Sequence, residues 1–240
     1  MNEQISNKYD FIEELKDLHR LHLVTKDFKH IIEYEPGSWK MFEPSKFVYS
    51  YFAFNTFYNF DWQKSCETYI LTHIEGVIKE GKIEFPNEEN KFKSMIDFVF
   101  NHTSTEDRIE FIHFIKRPNK RENPISSKLL FEYIEGITPD KRIKESEIDD
   151  FKKEFIKMVE SENLLIGKLK NILRFVYLVR NNIFHGTKTT IEMSDKNQRK
   201  RLEIYSNILI ATNELLFKSL ENILKTKFDG HYKLNLDDRN

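Results

Sequence analysis

Near the end of the chain, Leu202, Tyr205, Ile208, Leu209, Thr212, Leu215, Leu216, Leu220, Ile223 and Leu224 recur three and four residues apart. A strand alternates its faces every two residues and cannot gather such a set, so the spacing predicts a long helix with a broad apolar face. Ser194 or Asp195 stands where that helix needs its N-cap. A second stretch, 164–183, has the same period in Leu165, Leu169, Ile172, Leu173, Val176, Val179 and Ile183. The last helix is expected to pack against this one.

The rest of the chain agrees with an all-α fold. Only 7 Gly and 6 Pro punctuate 240 residues, and 21 Phe supply ample material for a core. Helical periodicity marks 8–23, 45–60, 62–79, 90–101, 106–116, 126–135 and 148–161. Pro44 falls in the first turn of the second of these, where its missing N–H costs nothing. That helix is aromatic on nearly every side, which predicts burial all round. Residues 1–226 read as one helical domain, with core helices near 8–23, 45–60, 164–184 and 195–225. Residues 227–240 form a polar tail. There is no repeat and no low-complexity tract.

Other features bound the chain's setting. A single cysteine, Cys66, excludes an internal disulfide and fits a reducing, cytoplasmic compartment. Residues 1–10 are polar, without a signal-peptide pattern. The aromatic run 47–60 is too short to cross a bilayer and is interrupted by Ser50, Asn55, Thr56 and Asn59. His19 and His22 have metal-compatible spacing, but no carboxylate or cysteine accompanies them, so they read as surface residues and no metal or other cofactor is expected. The segment Lys116-Arg117-Pro118-Asn119-Lys120-Arg121 reads as a basic turn, either a solvated loop or a second phosphate contact.

One residue disturbs the second stripe. At roughly 100° per residue, Arg180 lies about 20° from Leu169 and Leu173, where the pattern asks for Leu or Ile. A guanidinium there must lose water or find an anion, and an unpaired buried charge costs several kcal/mol. Gly186 then supplies the usual helix stop, leaving His185 where regular geometry ends. In an ideal helix Arg180 and His185 would stand about 140° apart, so they converge only if the last turn unwinds or if two chains share the site. Charge gathers here as well. The whole chain balances 38 Lys and Arg against 39 Asp and Glu, yet residues 164–201 hold nine basic residues against two acids. Such a patch can steer a polyanion even on a neutral protein.

Arg180, a polar Asn181, then Asn182-Ile183-Phe184, then His185-Gly186, at the end of one long helix and shortly before another, resembles the R-x4-H motif of the HEPN superfamily. The resemblance implies an all-helical bundle with the motif helix and the last helix as an antiparallel pair. It also implies a homodimer with two motifs facing one cleft, and cleavage of RNA without a metal. Many such proteins are toxins or antiviral defence effectors, some with an antitoxin or defence partner protein. Others keep the fold and only bind a nucleotide, RNA or a protein. Phe54-Asn55-Thr56-Phe57-Tyr58-Asn59 resembles the aromatic, Asn-bearing helix beside the motif helix in several HEPN families. Residues 61–160 exceed what a minimal HEPN domain needs and read as an insertion or elaboration.

The residue chemistry suits that expectation. RNA carries its own nucleophile, so cleavage needs a base for the 2′-OH proton and a cation for the charge growing on phosphate. His185 suits the first role, since imidazole titrates near pH ~6.5. Arg180 suits the second, with a planar and permanently charged fork. Asn181, four residues before His185, is placed to hydrogen-bond the ring or the phosphate. Asn55 and Tyr58 share a face and, with Asn182, are candidates to orient the phosphate or histidine, or else are buried polar groups satisfied internally. Lys170, Arg174 and Lys188 are candidate RNA contacts. Two alternatives stand beside the enzyme. One is a non-catalytic helical module binding a nucleotide, RNA or protein through the same helix end; the other is a chance motif, expected if Arg180 is paired to an internal carboxylate. No Gly-rich phosphate loop, H-E-x-x-H, paired cysteines or G-x-S-x-G competes.

Overall fold

A computed structural model describes residues 2–26, 42–59, 88–116, 127–139, 143–184, 189–224 and 228. Among them the chain is all-helical, without a strand: α1 (Asn2–Lys26), α2 (Phe42–Tyr58), α3 (Glu88–His102), α4 (Thr105–Lys116), α5 (Ser127–Glu135), α6 (Glu145–Ser161), α7 (Ile166–Phe184), α8 (Thr190–Met193) and α9 (Lys196–Leu224). None of these helices is long and apolar enough to cross a membrane. The helix expected over 62–79, Cys66, most of the basic turn at 116–121 and nearly all of the tail lie outside the described residues.

Helix α9 is the axis of the bundle. It starts at Asp195, whose carboxylate accepts from the backbone N–H of Asn197 (2.9 Å) and Gln198 (3.0 Å). The bond from Gln198, against a small opposing effect of burial, holds that carboxyl below its ordinary value. From 204 to 213 every residue is buried, a helix covered on all sides. Ser206 and Thr212 are tolerated in this stretch because their hydroxyls bond back to their own helix. Ser206 donates to Leu202 O and Thr212 to Ile208 O, each at 2.8 Å.

The principal neighbour of α9 is α2, not the motif helix. Arg199 meets Glu43 (3.3 Å), Phe47 packs on Tyr205 (6.2 Å between centroids) and Phe57 on Phe217 (5.2 Å), so the two helices run in the same direction. Helices α4, α3, α5 and α1 complete the surround. Helix α7 reaches α9 near Phe175 and Tyr205 (5.9 Å) and otherwise lies between α6 and α3. The expected partnership of the last two long helices is thus a limited contact. The reason is stereochemical: the face of α7 carrying Phe175 finds a better partner in Phe151 of α6, stacked at 4.1 Å and 13°. Residues of the middle stretch, including Phe92, Ile96, Phe111, Ile112, Ile148 and Phe155, enter the same apolar core as α2, α7 and α9.

Two sequence readings need correction. His22 is buried, 1 % exposed, with Nε2 2.9 Å from the Glu214 carboxylate, which Lys26 also contacts. Glu214 lies 192 residues away in sequence, so nothing near His22 announced it. Helix α2 is likewise not buried all round. Tyr49 and Phe52 are 48 % and 55 % exposed, because α9, α1 and α3 cover its other sides only.

Candidate functional site

The site is built on the last turns of α7. This helix begins at Ile166, so Leu165, placed in the stripe by its spacing, precedes the first turn and stands 48 % exposed. Leu169, Ile172, Leu173, Phe175, Val176, Val179 and Asn182 form the buried face. Arg180 stands at the rim of that face, half-buried.

Its guanidinium is held by aromatic rings. The Cζ lies 5.1 Å from the centroid of Tyr51 on α2 and 4.8 Å from that of Phe184, one turn on along α7. Nη1 donates to Asn181 Oδ1 at 2.8 Å, and Nε is buried without a hydrogen-bond partner. Among the described residues Arg180 has no carboxylate within ion-pair distance. Cation–π contact is worth roughly 0.5–2 kcal/mol, less than a buried charge loses with its water, so the guanidinium remains under-satisfied toward anions.

Tyr51 is itself held from below. Its phenol oxygen lies 3.1 Å from that of Tyr58, which reaches Asn55 Oδ1 at 2.6 Å and also the Glu88 carboxylate on α3. Tyr58 has a single proton to donate, claimed by these two acceptors, so Tyr51 is the donor between the phenols. Burial raises both hydroxyls well above the ordinary tyrosine value. For Tyr51 the Tyr58 bond and Arg180 pull the other way, whereas for Tyr58 the neighbouring Tyr51 and Glu88 push further up. Both therefore stay neutral donors. The chain Glu88–Tyr58–Tyr51 fixes the ring on which Arg180 rests, with Asn59 donating to Asn55 Oδ1 (3.1 Å) beside it.

The structure thus brings together Arg180, Asn181, Asn55 and Tyr58, and adds Tyr51, Glu88 and Phe184, which sequence reasoning missed. Asn181 turns to its neighbour Arg180, and Asn182 is buried at 2 % exposure. His185, Gly186 and Lys188 lie outside the described residues. Tyr51, Asn55 and Tyr58 are spaced four and three apart, one face of a helix, and that signal was available. Glu88 was not legible, since thirty residues separate it from Tyr58.

The surrounding cations are used differently. Lys170 pairs with Asp97, and Arg174 reaches Glu89 (3.4 Å) and Glu147 (3.2 Å). Arg199 pairs with Glu43 and Lys200 with Glu203 (3.0 Å). Arg201 donates to the carbonyls of Tyr133 (3.1 Å) and Gly136 at the end of α5, a C-cap supplied from another helix. Among the described residues no group of three or more His, Cys, Asp or Glu side chains is arranged to hold a metal ion.

Fold and site define an all-helical protein whose motif helix carries, in its last turns, an arginine clasped by aromatic rings and without a counter-ion among the described residues. Compared with protein-family models, with curated proteins and with solved structures, the chain finds no match in any of the three.

Proposed function

We propose that this protein is a metal-independent endoribonuclease of HEPN type, acting as a homodimer in toxin or antiviral defence. The observation that supports the reading is Arg180. Its guanidinium is oriented by two rings and an amide, and among the described residues no carboxylate neutralises it. A purely structural arginine at that position would be expected to have such a partner.

In the proposed reaction His185 removes the 2′-OH proton. The 2′-oxygen forms a bond to phosphorus, the P–O5′ bond breaks, and the leaving 5′-oxygen takes a proton from water. The products are a 2′,3′-cyclic phosphate and a 5′-hydroxyl. Arg180 stabilises the charge on the phosphate oxygens, and Asn181 holds the guanidinium in plane. Tyr51, backed by Tyr58 and Glu88, keeps the arginine at its station.

The test is cleavage of a labelled RNA pool in EDTA by wild type, Arg180→Ala and His185→Ala, each checked for folding and size. Wild type is expected to yield cyclic-phosphate ends, and each variant to lose about 10²–10⁴ in rate. Mixing the two inactive chains is expected to restore part of the activity if one site draws on two copies. An inert wild type, or variants that cut equally well, would leave only the binding-module and chance-motif readings.

A further inference from the structure

Phe184 is the last residue of α7 and is 51 % exposed. A phenyl ring has two faces, and the Arg180 guanidinium, 4.8 Å from the centroid, occupies one. With about half of the residue exposed, ring surface not covered by Arg180 is open to solvent. A large exposed ring beside a cation that has no counter-ion among the described residues matches a ligand with an anion joined to a flat aromatic group. A nucleotide is such a ligand. With its phosphate on Arg180, the attached base lies within reach of the ring beside it. Base–aromatic stacking tolerates any base, because every base has a π face. It also requires the base to be out of its duplex, since a paired and stacked base offers no free face.

We infer that Phe184 is the platform on which one unpaired nucleobase of the substrate stacks. It would select single-stranded over duplex RNA at the position next to the phosphate held by Arg180. This inference rests on the ribonuclease reading of the same helix end, and it adds a specificity residue to it. Asn181 supports it. Its Oδ1 is committed to Arg180, while its amide nitrogen has no partner among the described residues and is left to donate to the nucleotide.

The experiment uses the full-length chain and a fluorescein-labelled single-stranded RNA of mixed sequence, with the same strand annealed to its complement as a second probe. Binding is measured on His185→Ala, which holds RNA without cutting it, and cleavage on the His185-bearing chain. Phe184→Leu keeps apolar bulk and removes the π face, and is expected to weaken single-strand binding about 5- to 100-fold. Phe184→Trp is expected to hold affinity within about 3-fold, with fluorescence quenched by RNA in difference against the parent chain. Duplex is expected to bind no better than the Phe184→Leu variant binds single strand.

Unchanged binding and cleavage in Phe184→Leu would overturn this inference and leave the ribonuclease reading standing. So would duplex cut as fast as single strand. A loss of dimer in Phe184→Leu, with RNA binding intact, would assign the ring to a second copy of the chain. A wild type that neither binds nor cuts either probe would remove both readings together.

Discussion

Two arginines rest on α2, and they are treated in opposite ways. Arg199 comes from α9 and meets Glu43 in the first turn, with side chains 14 % and 13 % exposed. Arg180 comes from α7 and meets Tyr51, about two turns further along the same helix. The first pair closes on itself. Its charge is spent holding α2 parallel to α9, and little of it reaches solvent. The second cation is oriented as carefully, by Tyr51, Phe184 and Asn181, but its charge remains available. Among the described residues the chain satisfies one part-buried arginine with a carboxylate and leaves the one at position 180 without, and the proposed anion-binding role of Arg180 rests on that difference.

That contrast predicts different failures. Glu43→Ala leaves Arg199 part-buried beside a missing partner and is expected to cost about 2 kcal/mol, a fall of roughly 4–8 °C in Tm. Arg180→Ala loses its ring contacts and its hydrogen bond to the part-exposed Asn181, together about 1 kcal/mol, so its melting point is expected to stay within about 4 °C of wild type while cleavage disappears. Differential scanning calorimetry beside the RNA assay reads both. If Arg180→Ala melted as early as Glu43→Ala, the distinction would collapse and Arg180 would be structural.

The contact of His22 and Lys26 with Glu214 is a second closed site and sharpens the comparison through pH. Burial pulls the Glu214 carboxyl upward, but the bonds and charges of His22 and Lys26 outweigh it and hold it well below its ordinary value of 4.5. A carboxylate lowered in the folded state stabilises fully above its unfolded value, and that contribution drains as pH falls toward the folded one. Glu214→Gln is therefore expected to cost about 1–2 kcal/mol at pH 7, with the two chains converging in stability as pH drops below about 4. Urea titrations at pH 7, 5 and 3.5 check the sign. A gap that widened on acidification would show that the bond works through something other than the carboxylate charge.

What could be read from the sequence follows from how local each cause is. The helices were legible because their apolar spacing is a property of neighbours, as in 202–224 and the buried face of α7. The oddity of Arg180 was legible for the same reason, since one charged residue broke a local pattern. Its surroundings were not. Tyr51, Glu88 and the Glu214 partner of His22 arrive from distant segments, and no spacing rule reaches 30 or 192 residues. The basic excess around the motif was only half of the local charge. Counting charges along 164–201 could not reveal that Asp97, Glu89, Glu147 and Glu43 would fold over Lys170, Arg174 and Arg199.

Those paired cations give the smallest expected effects. Lys170 and Arg174 lie on the motif helix within reach of any RNA bound at its end, yet each already holds one or more carboxylates. To contact phosphate, each would have to abandon its acid partners and leave negative charge facing the polyanion. Lys170→Ala and Arg174→Ala are therefore expected to change RNA affinity by less than about 3-fold and stability by under about 1 kcal/mol. The decisive quantity is the slope of log affinity against log salt. A cation seated on phosphate contributes nearly one unit to that slope, about 0.7 for a single strand, and a cation committed to a carboxylate contributes almost nothing. A slope unchanged by either substitution places both residues with Arg199 on the structural side. A fall of about 0.7 per substitution would mean that the ion pairs open on binding and that the anion site extends back along α7 from Arg180.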